Sequence, residues 1–248
     1  MSSARRNWLV AIPVVALTFG AWALGRSMMP VNPAAVPEGR KGAWERQHEA
    51  FVEAASRGNV DLLFVGDSIT AHWANTAPAI WSRYYAPRKA ANFGIGGDRT
   101  QHVLWRLDHG ELEGIAPRVV VLLIGTNNLG DSSDDEVVDG IETVVDRLRD
   151  GLPTSKILLL GLFPRGIGHR PDQDSAAPNP RVPAINARLA RLVDGKALRF
   201  LDIGPALLDG SGRISAAVEP EFLHLSPKGY QIWADAMEPT LWAMMAGR

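Results

Sequence analysis

Four short segments of this 248-residue chain carry side chains suited to acyl-transfer chemistry. They are, in order, Val65-Gly66-Asp67-Ser68, Gly94-Ile95-Gly96-Gly97-Asp98, Gly125-Thr126-Asn127-Asn128 and Glu221-Phe222-Leu223-His224. Ser68 offers a hydroxyl nucleophile, His224 a base that can take its proton, and Glu221 a carboxylate that can orient the base. Glycine N–H groups and the Asn127 amide offer donors for negative charge on a carbonyl oxygen. Together these residue types indicate nucleophilic catalysis by serine.

Each segment also has an ordinary structural explanation. Asp67 or Ser68 can simply cap a helix, and Asn127-Asn128 can be plain turn residues. A phosphate-binding loop at Gly94–Gly97 is disfavoured, since Arg99 replaces the last glycine of G-x-G-x-x-G. A metal site at Glu221-x-x-His224 would need a helix and further converging carboxylates, which the pattern lacks. No metal and no cofactor is therefore predicted.

The first three segments follow apolar runs that predict buried strands, namely Leu62–Val65, Ala90–Phe93 and Val119–Ile124. Further strands are predicted at Lys156–Leu162 and Leu198–Ile203, and helices at Ala43–Ser56, Asp98–Leu107, after Ser133, at Pro183–Leu192 and after Ser226. This alternation predicts an α/β fold in which a five-stranded parallel sheet lies between two layers of helices. The turns after parallel strands gather at one rim, where ligands bind.

At these residues the chain resembles the SGNH/GDSL hydrolases, and among them the catalytic subunits of the intracellular platelet-activating-factor acetylhydrolases. The resemblance lies in Asn92–Asp98, His102–Leu107 and Phe222–Leu225 and extends from Trp44 to Trp242. It implies the flavodoxin-like, three-layer SGNH hydrolase fold. It also implies that Gly97, rather than Gly94 or Gly96, joins the Ser68 N–H and Asn127 in an oxyanion hole.

The chain departs from the family at Glu221, where aspartate is usual. Glutamate can perform the same role, but its additional methylene shifts the carboxylate. The pocket is predicted by adjacency, because Ile69, Thr126 and Leu223 neighbour the catalytic groups and their size suits an acetyl group. Arg165 follows the fourth strand in Phe163-Pro164-Arg165-Gly166. It is predicted either to bind a polar leaving group or to pair with an acid at the sheet rim.

Composition excludes several other functions. The 26 basic and 27 acidic side chains nearly cancel and form no basic stripe, which argues against a nucleic-acid partner. The absence of cysteine excludes disulfides, thiolate metal sites and a cysteine nucleophile. A hydrophobic content of 46% suffices for one α/β domain.

The N-terminus has the pattern of an export segment. Arg5-Arg6 precede an uncharged stretch from Asn7 to Gly25 that contains Ala21-Trp22-Ala23. This pattern predicts a signal peptide or membrane anchor over residues 1–26. Residues 27–43 are predicted to be a linker, and residues 44–248 the hydrolase domain. The protein is thus expected to be exported, either to the periplasm or cell exterior or on an anchor in the cytoplasmic membrane, facing outward.

The sequence therefore predicts a serine esterase that cleaves short-chain, chiefly acetyl, esters of a carbohydrate or lipid. One alternative is a phospholipid-type acylhydrolase. Another is a membrane-tethered binding protein that has lost turnover, which the glutamate at position 221 suggests. The polar insertion at Gly166–Pro183 is predicted to be either a lid over the site or a surface loop.

Overall fold

The computed structural model describes residues 31–167 and 174–247, so the predicted export segment lies outside the described residues. The compact unit begins at Asn32. Its five strands, all parallel, are β1 (Leu62–Gly66), β2 (Ala90–Gly94), β3 (Val119–Leu123), β4 (Lys156–Leu160) and β5 (Leu198–Leu201). They lie in the order β2-β1-β3-β4-β5, which confirms the predicted α/β fold with its parallel sheet.

Helices connect the strands and cover both faces of the sheet. They are α1 (Ala43–Ser56), α2 (Ser68–Ala71), α3 (Trp73–Thr76), α4 (Pro78–Tyr84), α5 (Thr100–Asp108), α6 (Asp134–Gly151), α7 (Arg181–Leu189), α8 (Gly204–Leu207) and α9 (Pro227–Met245). Short 3₁₀ helices lie at Pro33–Ala35, Ala86–Arg88, Thr126–Gly130 and Ala190–Leu192. None of the helices in the described ranges is long and apolar enough to span a bilayer.

Alternate side chains of each strand enter two separate cores, because successive residues of a strand face opposite sides. Leu63 and Val65 of β1 pack in the core beneath α1, α5, α6 and α7. Leu62 and Phe64 pack on the other face, among the residues of α3 and α9. All five residues of β1 are buried, as expected for a central strand covered on both faces.

Local signals in the sequence account for most helix starts. Ser133 and Glu136 form the predicted capping box at the start of α6. The Ser226 hydroxyl accepts a hydrogen bond from the Gly229 N–H at the start of α9, and Pro227 occupies the first helical position. Both helices therefore begin where the sequence predicts.

The strand and helix ends differ from prediction where side chains bind the backbone. β4 ends at Leu160 instead of Leu162, because the Asn186 side chain takes over both backbone groups of Leu162. α5 begins at Thr100 instead of Asp98, because the Arg99 N–H donates to the His102 ring. Asp98 is left free to form part of a turn before the helix.

Part of the predicted linker packs against the domain. The Asn32 side chain donates to the Glu136 carbonyl over 3.1 Å, and the Ala34 carbonyl accepts from the Thr100 hydroxyl over 2.6 Å. The approach is close because Gly140 of α6 faces Ala34, where a Cβ would lie 2.8 Å from the Ala34 carbonyl oxygen. The stretch from Asn32 onward thus covers the starts of α5 and α6.

Candidate active site

Ser68 lies at the carboxyl end of the central strand β1. Gly66 ends the strand, and a Cβ there would clash with the Thr70 side chain and the Leu123 carbonyl, so only glycine permits this tight turn. Asp67 then caps α2, its Oδ1 accepting a hydrogen bond from the Ile69 N–H over 2.9 Å. Ser68 is consequently the first residue of the helix, with its side chain at the rim of the sheet.

The segment before α9 brings His224 to the serine. His224 Nε2 lies 3.0 Å from Ser68 Oγ, and His224 Nδ1 lies 3.3 Å from Glu221 Oε2. The Glu221 side chain is 71% exposed, and that of His224 is 27% exposed. The structure thus brings together the three predicted members of the triad, with the acid largely in water.

The second and third segments place donors at the same rim. Gly97 has a φ of +74°, a conformation that favours glycine. The Asn127 amide donates one hydrogen bond to the Asp98 carbonyl over 2.8 Å, and its second N–H remains for another acceptor. In the described part of the chain, neither the Ser68 nor the Gly97 backbone N–H has an acceptor. Such open donors are what an oxyanion hole requires.

A buried charge network holds the turn that follows Gly97. Asp98 is fully buried, and its carboxylate accepts from the Trp44 indole N–H over 2.6 Å and from Arg106 Nε over 2.9 Å. Arg106 is also fully buried and pairs with Glu111, which in turn contacts His48. Burial raises the pKa of Asp98 to about 6, against the opposing effect of Arg106. The network joins the oxyanion turn to α1 and α5.

Sequence reasoning missed this network. Its members are far apart in the sequence, and charged residues in amphipathic helices ordinarily face solvent. One signal was available, since Arg106 lies in the predicted helix beside the apolar Val103 and Leu107, both of which are buried.

The predicted pocket residues lie around the catalytic groups in different ways. Ile69 and Thr126 are buried, and Leu223 packs against the core that contains Ile69. Arg165 Nη1 donates to the Thr126 carbonyl over 2.7 Å, so its guanidinium braces the turn that carries Asn127. The carboxyl group of Asp67 is buried, which raises its pKa to about 7, whereas the charge of Arg165 lowers that pKa. The guanidinium thus binds Thr126 (its carbonyl, and its hydroxyl at 3.3 Å), and these contacts do not decide between the two predicted roles of Arg165.

A second acid, Glu219, was missed from the sequence and lies in the same short segment as the base. Glu219 is fully buried, and neither carboxylate oxygen has a hydrogen-bond partner among the described residues. Burial raises its pKa to about 8, so the group is mainly protonated at neutral pH. Among the described residues, no group of His, Asp and Glu side chains is arranged to hold a metal ion.

Comparison with known proteins shows which family the chain belongs to. Residues 64–232 match the GDSL-like Lipase/Acylhydrolase family. Platelet-activating factor acetylhydrolase IB subunit alpha2 of Rattus norvegicus is 39% identical over 205 residues, which cover 80% of this chain and 86% of the relative. The alpha1 subunit of Homo sapiens is 35% identical over 220 residues, which cover 87% of this chain and 92% of that relative.

Solved structures share the fold. A Streptococcus pneumoniae structure whose description refers to platelet activating factor superposes with a TM-score of 0.68 at 25% identity, covering 79% of this chain and 92% of that chain. A carbohydrate esterase family 3 structure from Talaromyces cellulolyticus superposes with a TM-score of 0.54 at 17% identity, covering 76% and 99%. At that identity the second likeness concerns the fold alone.

The prediction that the protein is exported or faces outward on a membrane anchor is wrong. The relatives that align with the chain are platelet-activating factor acetylhydrolase IB subunits, the intracellular group that its motifs resemble. The prediction rested on the apolar run in residues 1–26, and hydrophobicity over that length is not specific to export.

The matched family model covers more than half of the chain, and its range includes the nucleophile, oxyanion and histidine segments. The chain therefore belongs to the GDSL-like lipase/acylhydrolase family and is an ester-hydrolysing enzyme.

Proposed function

We propose that the enzyme hydrolyses short-chain esters, chiefly acetyl esters, through Ser68, His224 and Glu221. The observation that carries the proposal is the 3.0 Å contact between Ser68 Oγ and His224 Nε2, at the rim where Gly97 and Asn127 present donors. A base at hydrogen-bonding distance converts a weakly nucleophilic hydroxyl into an attacking group.

The reaction proceeds in two halves. His224 Nε2 takes the Ser68 proton while Oγ attacks the ester carbonyl, and the Ser68, Gly97 and Asn127 donors bind the resulting oxyanion. His224 then gives its proton to the departing alcohol, which leaves an acyl group on Ser68. Water, activated by His224, releases the acid in the second half and restores the serine.

The acyl preference follows from the residues beside the nucleophile. Ile69 and Thr126, which neighbour Ser68 and Asn127 in the chain, are 2% and 4% exposed, and Leu223 packs against the core that contains Ile69. We expect an acyl group on Ser68 to meet these packed side chains. Extra methylenes in a packed site force strain. The names of the relatives, which are acetylhydrolases, point the same way.

A phospholipid-type acylhydrolase is the second candidate, because the relatives act, by name, on platelet-activating factor. The two candidates share the acyl group and differ in the alcohol. The contact between Ser68 and His224 weighs against the third possibility, a binding protein without turnover, since a protein that only binds has no need of an aligned proton acceptor.

The test compares kcat/KM for 4-nitrophenyl acetate and octanoate, followed by a panel of acetylated sugars and acetylated phospholipids. We expect acetate to exceed octanoate by at least about 10-fold. Ser68→Ala should lower kcat by several orders of magnitude. The matched control, Ser56→Ala at an exposed position, should leave kcat unchanged. Equal rates on octanoate would overturn the acyl preference, and undiminished hydrolysis by Ser68→Ala would overturn the mechanism.

A further inference from the structure

A second histidine, His72, lies against the catalytic one. The ring centroids of His72 and His224 are 4.8 Å apart, with an angle of 47° between the ring planes. His72 follows Ser68 by four residues, and its N–H donates to the Ser68 carbonyl over 2.9 Å. Residues four apart lie on the same side of a helical turn, so His72 is one turn below the nucleophile.

The side chain of His72 has no other evident structural task. It is partly buried, and its ring nitrogens form no hydrogen bond with any described residue. Burial lowers the pKa of His72, and the neighbouring His224 lowers it further, while Glu221 has the opposite effect. The ring is therefore neutral at pH 7, and what it offers to the site is a flat, uncharged surface.

His224 needs such a surface because its acid partner is poorly placed to hold it alone. Glu221 contacts the ring at 3.3 Å from a side chain that is 71% exposed, and an exposed ionic contact contributes little rigidity. Glu221 also belongs to the same short segment as His224, so the two can move together. His72 belongs instead to the β1–α2 unit that carries Ser68.

We propose that His72 is a positioning residue, which packs against His224 and keeps Nε2 aligned with Ser68 Oγ. The inference rests on the proposed Ser68–His224 mechanism. A neutral ring suits this position, since a second cation beside His224 would oppose the imidazolium that forms during attack.

The test uses the purified full-length chain with His72→Ala and His72→Phe. With 4-nitrophenyl acetate, His72→Ala should lower kcat by about 10-fold and leave KM within about twofold, because small displacements of a catalytic group cost rate. His72→Phe should recover most of the lost kcat, since it restores the flat packing surface. The matched control is His109→Ala, which removes a histidine stacked at 3.7 Å on Trp105 and should leave both constants unchanged.

A second readout does not depend on the acyl preference. The rate at which a small organophosphonate inactivates Ser68 measures serine activation alone, and it should fall in parallel with kcat in His72→Ala. If the wild type hydrolysed no acetyl ester but reacted with the phosphonate, the proposed substrate would be wrong and His72 would still be tested by this rate.

Three results would overturn the positioning role. One is a wild-type kcat and inactivation rate in His72→Ala. Another is a raised KM with kcat unchanged, which would make His72 a substrate-binding residue. The third is a His72→Phe variant as slow as His72→Ala, since packing would then not be the contribution.

Discussion

The two sides of the active site are built differently. On the oxyanion side, Asp98 is fully buried and held by Trp44 and Arg106, whereas on the base side Glu221 lies largely in water. Removing a partner from a buried charge is costly, but removing one from an exposed charge is not. We infer that the fold fixes the proposed oxyanion hole, whereas Glu221, the proposed orienting acid, is held more weakly.

Two acids in the segment that carries His224 also differ in burial. Glu219 and Glu221 are two residues apart, yet Glu221 has a partner and is exposed, and Glu219 is buried with no partner among the described residues. Burial raises the pKa of Glu219 to about 8, so the buried carboxyl group holds its proton at neutral pH. Two acids of the same residue type in one short segment therefore differ in burial and in hydrogen bonding.

The largest expected effect comes from breaking the buried network. Arg106→Met leaves Asp98 and Glu111 without their shared cation, which should lower the free energy of unfolding by about 3–5 kcal/mol. Urea denaturation at pH 7.5 measures this. Arg188→Met removes the exposed pair with Asp135 and should cost less than about 1 kcal/mol. Equal losses in the two variants would contradict the contrast between buried and exposed pairs.

Next in size is Asn127→Ala, which tests the oxyanion side by kinetics. Loss of one donor to a developing oxyanion should reduce kcat by about 100- to 1,000-fold, with a small change in KM. Steady-state kinetics on 4-nitrophenyl acetate provide the measurement, and the exposed Asn75→Ala provides the control. A kcat within a few-fold of wild type would remove Asn127 from the oxyanion hole.

Glu219→Gln tests the buried acid through the pH dependence of stability. Because the pKa of Glu219 is raised from 4.5 to about 8 in the folded state, its favourable contribution is full below about pH 4.5 and is lost as the pH rises to about 8. The variant should therefore gain stability relative to wild type between pH 5 and pH 8, by a few kcal/mol at most. Thermal unfolding across this pH range measures the difference in stability between the variant and the wild type.

The control for that series is Glu142→Gln at an exposed position. The difference in stability between this variant and the wild type should not change with pH. If the stability difference between Glu219→Gln and the wild type is also independent of pH, the Glu219 carboxyl group is ionised in the folded protein.

The smallest effect is expected from Glu221→Gln. A buried triad aspartate changed to its amide costs about 10⁴-fold in kcat, but a carboxylate that is 71% exposed should contribute only about 10-fold. Glu221→Asp should keep much of the activity, because it restores the usual family residue. If Glu221→Gln lowers kcat by as much as the loss of a buried triad acid does, Glu221 holds His224 more rigidly than its exposure indicates.

Most of the fold could be predicted because its signals are local. The strand runs, the capping box at Ser133 and the Ser226-Pro227 start of α9 each lie within a few residues of the feature that they specify. The ends of β4 and α5 could not be predicted, because Asn186 and His102 bind the backbone there through contacts that only the folded chain creates.

The candidate site likewise contains residues that local sequence predicts and residues that it does not. The segments holding Ser68, Asn127 and His224 were evident from their order along the chain, and the sheet topology brings them to one rim. The burial of Glu219, in contrast, depends on which side of its short segment faces the core. A short loop has no periodicity that would disclose that orientation.

The hydrogen bond between the Tyr230 hydroxyl and the Ile69 carbonyl, 2.6 Å long, has a consequence for how activity arises during synthesis. Trp44 and Arg106, which bind the Asp98 carboxylate, lie in the first half of the chain, whereas His224 and α9 come much later in the sequence. A nascent chain emerging from the ribosome therefore carries its nucleophile long before its base. The Ser68–His224 contact can form only after the segment before α9 has been synthesised, so we expect no ester hydrolysis before that point.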